Sequence, residues 1–84
     1  MRILIVEDEV IIAMYLEMLV ADFGHTVCGS AHSASGAIEQ AAAHRPDLVL
    51  MDIRLADGSS GVDAAQELYL RHGLRCIFLS ANLG

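Results

Sequence analysis

Carboxylates or a hydroxyl follow three of the apolar segments in this 84-residue sequence. Glu7 and Asp8 come directly after the first segment, Asp52 ends the third, and Ser80 ends the fourth. If these segments are parallel strands, their carboxyl ends meet at one edge of the sheet, where open α/β folds bind ligands. Carboxylates that converge there repel one another, and a divalent cation offsets that repulsion. Because carboxylate oxygens favour Mg²⁺ over a soft metal, we predict a magnesium site formed by Glu7, Asp8 and Asp52.

The same acids also have a purely structural interpretation. A single Asp after a strand commonly caps a helix or lies in a solvated turn. Glu7, Asp8 and Glu9 could simply interact with the positive end of the helix that follows them. Acids at the ends of two separate segments, with Ser80 at the end of a third, favour a binding site over this interpretation.

The sequence lacks the motifs of several common nucleotide-binding and hydrolytic sites. It contains no G-x-G-x-x-G or G-x-x-x-x-G-K-[ST] loop to bind phosphates and no G-x-S-x-G elbow to present a nucleophilic serine. No Cys or His pair has the spacing of a zinc site. Asp52-Ile53-Arg54 lacks a second Asp two residues on, which leaves a Mg²⁺-dependent phosphatase as a minor alternative.

The pattern of apolar residues predicts strands and helices in alternation. The predicted elements are strand Arg2–Val6, helix Val10–Phe23, strand Thr26–Ala31, a helix capped by Ser33 or Ser35 and ending at His44, strand Asp47–Asp52, helix Gly61–His72 and strand Arg75–Ser80. Helical crossovers of this length imply parallel strands with right-handed connections. The sequence therefore predicts an open α/β sheet with the acids at one edge.

Helical periodicity predicts which side of each helix packs on this sheet. The predicted core positions are Ile12, Leu16, Leu19 and Phe23 in the first helix, the small-residue stripe Ala34, Ala37, Ile38 and Ala41 in the second, and Val62, Ala65, Leu68 and Tyr69 in the third. Glu67 and Arg71 have the i,i+4 spacing of a favourable ion pair on an exposed helix face.

The composition restricts the classes to which the chain can belong. Hydrophobic residues make up 55% of it, no apolar run approaches the roughly 18 residues of a membrane span, and no secretory leader precedes the first strand. The net charge is −6 and every cation is Arg, which disfavours binding to nucleic acid or to an anionic membrane. We therefore expect a cytoplasmic protein. An apolar excess in so short a chain also predicts a covered surface, either in an oligomer or in a larger domain.

Three segments, ILIVEDE, DLVLMDIRL and CIFLSA, together resemble the receiver domain of bacterial two-component response regulators. The resemblance covers nearly the whole chain. The segment DIRLADGSSG is similar to receivers of general-stress regulators, although Ala56 stands near a position where many receivers have Pro. The resemblance implies a flavodoxin-like open parallel sheet with strand order 2-1-3-4. That order places Cys28 and Cys76 on opposite edge strands, roughly 14 Å apart, which is too far for a disulfide.

The resemblance also implies roles for the residues of the site. Asp52 would be the phospho-acceptor, which takes a phosphoryl group from a histidine kinase or a phosphotransfer protein. Mg²⁺ would be held by Asp52, by Asp8 directly, by Glu7 directly or through water, and by the backbone carbonyl of Arg54. Such a module is not an enzyme, because it assists only its own phosphorylation and dephosphorylation.

The end of the fourth strand would carry the switch. Ser80 would be the hydroxyl that bonds the phosphoryl group, and Ala81 the small residue that leaves room for it. The family normally continues with a helix, a strand and a further helix, and with a Lys that pairs with the phosphoryl group, whereas this sequence has no Lys.

We therefore interpret residues 1–84 as a single, partial receiver domain. Without the later elements, its fourth strand would be an exposed apolar edge, and such edges recruit another strand. This predicts a homodimer or a domain swap through the fourth strand. A phosphorylation-independent interaction module is the alternative function.

Overall fold

The computed structural model describes residues 1–55 and 58–79, which form one four-stranded sheet and three helices that pack on it. In chain order the elements are β1 (Arg2–Val6), α1 (Val10–Asp22), β2 (Thr26–Ala31), α2 (Ala34–His44), β3 (Leu48–Asp52), α3 (Gly61–His72) and β4 (Cys76–Leu79). The strand order is β2-β1-β3-β4, and all neighbouring pairs are parallel. The predicted flavodoxin-like α/β architecture and its strand order are confirmed.

Alternating side chains along β1 and β3 pack on opposite faces of the sheet. The side that faces α2 and α3 contains Leu4, Val6, Val49 and Met51, and the side that faces α1 contains Ile3 and Ile5. Because helices cover both faces of β1, its last four residues are all buried. This explains why the strand is a continuous apolar run rather than an alternating one.

The second helix begins at a hydroxyl cap and packs through small side chains. Ser33 Oγ accepts the N–H of Gly36 at 3.0 Å, so Ser33 rather than Ser35 is the cap. Ala37 and Ala41 are buried against the sheet. The predicted small-residue stripe is thus confirmed, and it lets α2 lie close to the strands.

The first helix differs from the prediction at its C-terminal end. Phe23 was expected in the core, but its side chain is 76% exposed. The helix ends at Asp22, but the N–H of Phe23 still donates to the carbonyl of Leu19. Phe23 lines an open groove together with Leu16 and Leu19, so it lies at the exposed edge of the predicted face. Val20 is the buried residue of this turn instead.

The third helix packs on the sheet through a face that only partly matches the predicted one. Leu68 is buried as predicted, and Ala64 is buried as well, whereas Val62 and Tyr69 are 51% and 58% exposed. Gly61, Ala64 and Leu68 form the sheet-facing side, because α3 begins so close to β3 that only small side chains fit beneath its first turn. The expectation that Val62 and Tyr69 pack in the core is therefore wrong.

The ends of the third helix agree with the sequence signals. Ser60 Oγ accepts two N–H groups of the first turn at 3.2 and 3.4 Å. Gly73 ends the helix in the left-handed region, with a φ of 66°. The predicted ion pair between Glu67 and Arg71 is present at 2.8 Å.

Strands β3 and β4 each begin one residue later than predicted, at Leu48 and Cys76. The edge strands carry Cys28 and Cys76, and both thiols are free, as the strand order requires. On β4, Ile77 and Phe78 are 50% and 43% exposed. The predicted end of this strand, Ser80, lies outside the described residues. Within residues 1–55 and 58–79, no helix has the length and apolarity needed to cross a bilayer.

Candidate functional site

The three predicted acids meet at the carboxyl-terminal edge of the sheet. Glu7 follows β1, and Asp52 is the last residue of β3. The parallel register pairs Val6 with Met51, so the two strands end at the same level. Carboxylate oxygens of Glu7, Asp8 and Asp52 all lie within 4.8 Å of one another. The structure therefore brings together three acids that are up to 45 residues apart in sequence (52 − 7 = 45).

Backbone donors fix two of these side chains. The N–H of Glu9 donates to Glu7 Oε1 at 3.2 Å. The N–H of Arg54 donates to Asp52 Oδ1 at 3.3 Å. Glu7 is only 4% exposed, although carboxylates are almost never fully buried unless they are paired. An acid that served only as a solvated cap would not need such burial.

The electrostatics of the cluster disfavour three negative charges. Burial is the largest cause that raises the pKa of Glu7, and repulsion from Asp52 and Asp8 raises it further, against the opposing effect of the Glu9 N–H. Burial also raises the pKa of Asp52, and a hydrogen bond with the Asp8 side chain adds to this, while the Arg54 N–H partly offsets both. A bound cation would reverse this balance, because it stabilises the ionised form of each ligand.

The donor set fits a hard divalent cation. Each of the three side chains offers a carboxylate oxygen, and such oxygens suit Mg²⁺ or a similar ion, with water completing the coordination. No sulfur or imidazole ligand takes part in the described cluster, which argues against zinc or copper. The arrangement can thus hold a cation beside the carboxylate of Asp52.

Contacts between the end of β3 and the beginning of α3 hold the residues that follow Asp52. Arg54 forms an isolated antiparallel bridge with Ser60, and the N–H of Gly61 donates to the carbonyl of Ile53 at 2.8 Å. Leu55 is buried in the core at 5% exposure. The carbonyl of Arg54 is the fourth predicted ligand. The backbone of Arg54 is therefore fixed by its bridge with Ser60 and by its N–H bond to Asp52.

The remaining predicted site residues, Ser80 and Ala81, lie outside the described residues, as does Ala56 in the loop. Sequence reasoning missed the contribution of Gly61. A Cβ atom at this position would collide with the backbone carbonyl of Asp52. The available signal was a glycine directly after the Ser60 cap, because glycine marks places where a close approach of backbone leaves no room for a Cβ atom.

A second contact links this loop to the helix on its other side. The N–H of Ala34, the first residue of α2, donates to Ser59 Oγ at 3.1 Å. The loop that carries Arg54 thus contacts the beginnings of both α2 and α3. Sequence reasoning assigned no role to Ser59, and nothing in its spacing distinguishes it from an ordinary loop serine.

An open parallel sheet of order 2-1-3-4 with an acidic cluster at its carboxyl edge defines the receiver class of flavodoxin-like folds. The family model described as "Response regulator receiver domain" matches residues 3–83. The chain therefore belongs to the response regulator receiver domain family. The receiver domain itself is a signalling module rather than an enzyme.

Several of the similar proteins are regulators named PhyR. The phyllosphere-induced regulator PhyR of Methylorubrum extorquens is 49% identical over 81 residues, which cover 95% of this chain and 30% of that protein. The crystal structure of PhyR from Brucella abortus matches with a TM-score of 0.88 and 43% identity, covering 92% of this chain and 32% of that one.

A third similar structure contains a partner. The anti-anti-sigma factor PhyR from Bartonella quintana, crystallised in complex with the anti-sigma factor NepR, matches with a TM-score of 0.88 and 39% identity. The match covers 95% of this chain and 33% of that one. The present chain thus spans about a third of the length of each of these three proteins.

Proposed function

We propose that this chain is the phospho-acceptor segment of a response regulator, and that it receives a phosphoryl group on Asp52. The observation that carries the proposal is the convergence of the Glu7, Asp8 and Asp52 carboxylates within 4.8 Å at the carboxyl edge of the sheet. Once a bound cation neutralises it, a carboxylate cluster of this kind suits phosphoryl transfer. That reaction depends more on charge neutralisation and alignment than on acid–base catalysis. Residues 1–84 would belong to one receiver domain.

In the proposed reaction, an oxygen of Asp52 attacks the phosphorus of a phosphohistidine in line with the leaving nitrogen. The P–N bond breaks, the imidazole leaves with the electron pair, and an acyl phosphate forms on Asp52. The Arg54 N–H holds Oδ1 of Asp52, which leaves Oδ2 to face the incoming group. Outside the described residues, Ser80 would donate its hydroxyl to the phosphoryl oxygens, and Ala81 would leave room for them.

Mg²⁺ would be held by Glu7, Asp8, Asp52 and the carbonyl of Arg54. When bound, it supplies positive charge that offsets the negative charge of the carboxylates and of the phosphoryl oxygens. The protein's own part is to keep three mutually repelling acids at one point, with Glu7 buried and two side chains fixed by backbone N–H groups.

The proposed phosphodonor is a histidine kinase or a phosphotransfer protein in the cytoplasm. One similar structure is described as the PhyR stress response regulator, which supports a place in a stress response. Because one PhyR is described as an anti-anti-sigma factor bound to NepR, we propose that phosphorylation of this chain is the input to a regulator that acts on an anti-sigma factor.

Incubation of the full chain with acetyl phosphate and Mg²⁺ tests the proposal. We expect a mass increase of one phosphoryl group that maps to Asp52 and is removed by hydroxylamine, as an acyl phosphate requires. The increase should disappear when EDTA replaces Mg²⁺. Absence of any increase in the presence of Mg²⁺ would show that the chain is not a phospho-acceptor, and a label on serine or histidine would assign the chemistry elsewhere.

The exposed apolar residues of β4 favour a second candidate, a module that works by association. Phe78 is 43% exposed beside a groove that Val62 and Tyr69 also line, and Ile77 is 50% exposed on the other face. In the described sheet, β4 pairs only with β3, so its outer backbone groups are available to another strand. Such an edge can support a homodimer or a swapped dimer without any phosphorylation.

We expect the full chain to dimerise, and Phe78→Lys to weaken the dimer by at least about 10-fold, or 1.4 kcal/mol. The cause is the charge placed on the apolar edge. The matched control is Leu70→Lys, because Leu70 is 73% exposed but does not line the groove beside Phe78. Sedimentation equilibrium measures both. A wild-type chain that stays monomeric at high concentration would rule out association through β4.

A further inference from the structure

The first residue of α3 lies directly against the backbone that carries Asp52. Gly61 is buried, and its N–H donates to the carbonyl of Ile53 at 2.8 Å. A Cβ atom added at Gly61 would overlap the carbonyl oxygen of Asp52, crowd its carbonyl carbon, and lie 3.0 Å from Cγ of Met51. Two of these three atoms belong to the backbone, so no rotamer change can make room for a side chain.

The peptide between Ile53 and Arg54, whose carbonyl accepts the Gly61 N–H, also orients the acid. The carboxylate of Asp52 accepts the N–H of Arg54 at 3.3 Å. The two peptides between Asp52 and Arg54 are therefore held by their contacts with Gly61 and, through the Arg54 N–H, by the Asp52 carboxylate. Any movement of these peptides changes the distance between Asp52 and the acids that follow β1, and it also turns the Arg54 carbonyl.

We infer that Gly61 is a positioning residue for Asp52 and for the Arg54 carbonyl. Because Gly61 has no side chain, α3 can begin in contact with the end of β3. This contact fixes the position of the Asp52 carboxylate relative to those of Glu7 and Asp8. The inference rests on the proposed function of Asp52.

The geometry distinguishes Gly61 from the other glycines near the site. Gly58 lies in the same loop, but a Cβ atom there would meet nothing within 4 Å. Gly36 lies in the first turn of α2, and its Cβ would meet only side-chain atoms, with Ser33 Oγ at 3.1 Å. Only at Gly61, among these three, does the obstacle consist of the backbone of a predicted site residue.

The variant Gly61→Ala tests the inference, with Gly36→Ala as the matched control in the first turn of the other helix. Two readouts are needed. The first is metal-free: amide chemical shifts and hydrogen exchange of Ile53 and Arg54, measured by NMR in EDTA. The second is the Mg²⁺ dissociation constant of the folded protein, together with the rate of phosphorylation by acetyl phosphate.

In Gly61→Ala, we expect the Arg54 amide to lose its protection and both peptides to shift, while the strands away from the site keep their wild-type spectra. Mg²⁺ should bind at least 10-fold more weakly, and phosphorylation should slow by on the order of 100-fold, the usual cost of a displacement of about 1 Å in a reacting group. Gly36→Ala should leave the spectra near Asp52, the Mg²⁺ affinity and the rate within twofold of wild type.

Each alternative outcome has a distinct meaning. If the wild type neither binds Mg²⁺ nor becomes phosphorylated, the proposed function fails, whereas wild-type behaviour of Gly61→Ala overturns the positioning role alone. If Gly61→Ala does not fold in buffer, the measurements are repeated in trimethylamine N-oxide, which favours the compact state. A variant that folds there and keeps wild-type Mg²⁺ affinity, or that remains unfolded, overturns the positioning role in favour of a structural one.

Discussion

Replacing Asp52 by Asn should abolish phosphoryl incorporation and at the same time make the metal-free protein more stable. Asn matches the shape of Asp and can still accept the Arg54 N–H, but its amide lacks an anionic oxygen to attack phosphorus. We expect incorporation to fall by roughly 100-fold or more. The gain in stability follows because the variant removes one of three acids that raise one another's free energy in the folded state.

The matched control is Asp63→Asn, which makes the same chemical change in the first turn of α3, on an exposed residue. An acid at that position is stabilised by the helix dipole, so its loss should lower the free energy of unfolding by about 0.3–1 kcal/mol and leave phosphorylation unchanged. Urea unfolding in EDTA and mass spectrometry measure the two effects. Incorporation that persists in Asp52→Asn would place the acceptor on another residue, and a loss of stability would show that the acids do not repel one another as the structure indicates.

The metal-free protein should become more stable as the pH falls from neutrality. The pKa values of Glu7 and Asp52 are raised by burial and by their acidic neighbours, above ordinary values of 4.5 and 3.8. The folded state therefore binds more protons than the unfolded state in this range, and stability is lost as the pH rises through the raised pKa values. The contribution of these two groups is fully present only below their ordinary pKa values.

Mg²⁺ should act in the opposite direction. It binds the ionised carboxylates, so its stabilising effect is greatest at neutral pH, about 2.7 kcal/mol at a concentration 100 times its dissociation constant. Protons compete with it as the pH falls through the raised pKa values, so the stability curves with Mg²⁺ and with EDTA should converge there. Urea unfolding from pH 7.5 to 4 measures both curves, with Glu7→Gln as the variant that should flatten the EDTA curve. Parallel curves across this range would exclude a carboxylate site for Mg²⁺.

The sequence was sufficient to predict the sheet and the meeting of the three acids. Each of the strands β1 and β3 is a short apolar run that ends in an acid, and parallel pairing of such runs leaves little freedom for where those acids lie. The strand order depended on the resemblance to the receiver family, and the structure has that order. Long-range pairing was therefore predicted better than the local packing of two helices.

The errors concern the depth and the exact face at which two helices pack. Periodicity assigns Val62, Leu68 and Tyr69 to the core, yet only Leu68 of these is buried, beside Gly61 and Ala64. The close approach of α3 to the backbone of Asp52 selects small residues, and no pattern of hydrophobicity encodes such a distance. Phe23 lies beside Leu16 and Leu19 as the periodicity predicts, but at the open edge of their groove, and periodicity predicts the face of a residue rather than how deeply it is buried.

The position of the acids in the sheet also bears on how the site behaves during native-state fluctuations. Glu7 follows β1 and Asp52 ends β3, which are the two inner strands of the described sheet, with β2 and β4 at its margins. Partial opening of a protein begins where burial is least, and the interior opens last. The pairing of β1 with β3, which sets the spacing of these two carboxylates, therefore does not depend on β4, whereas opening of β2 would free the Glu7 N–H from the Ala31 carbonyl that accepts it.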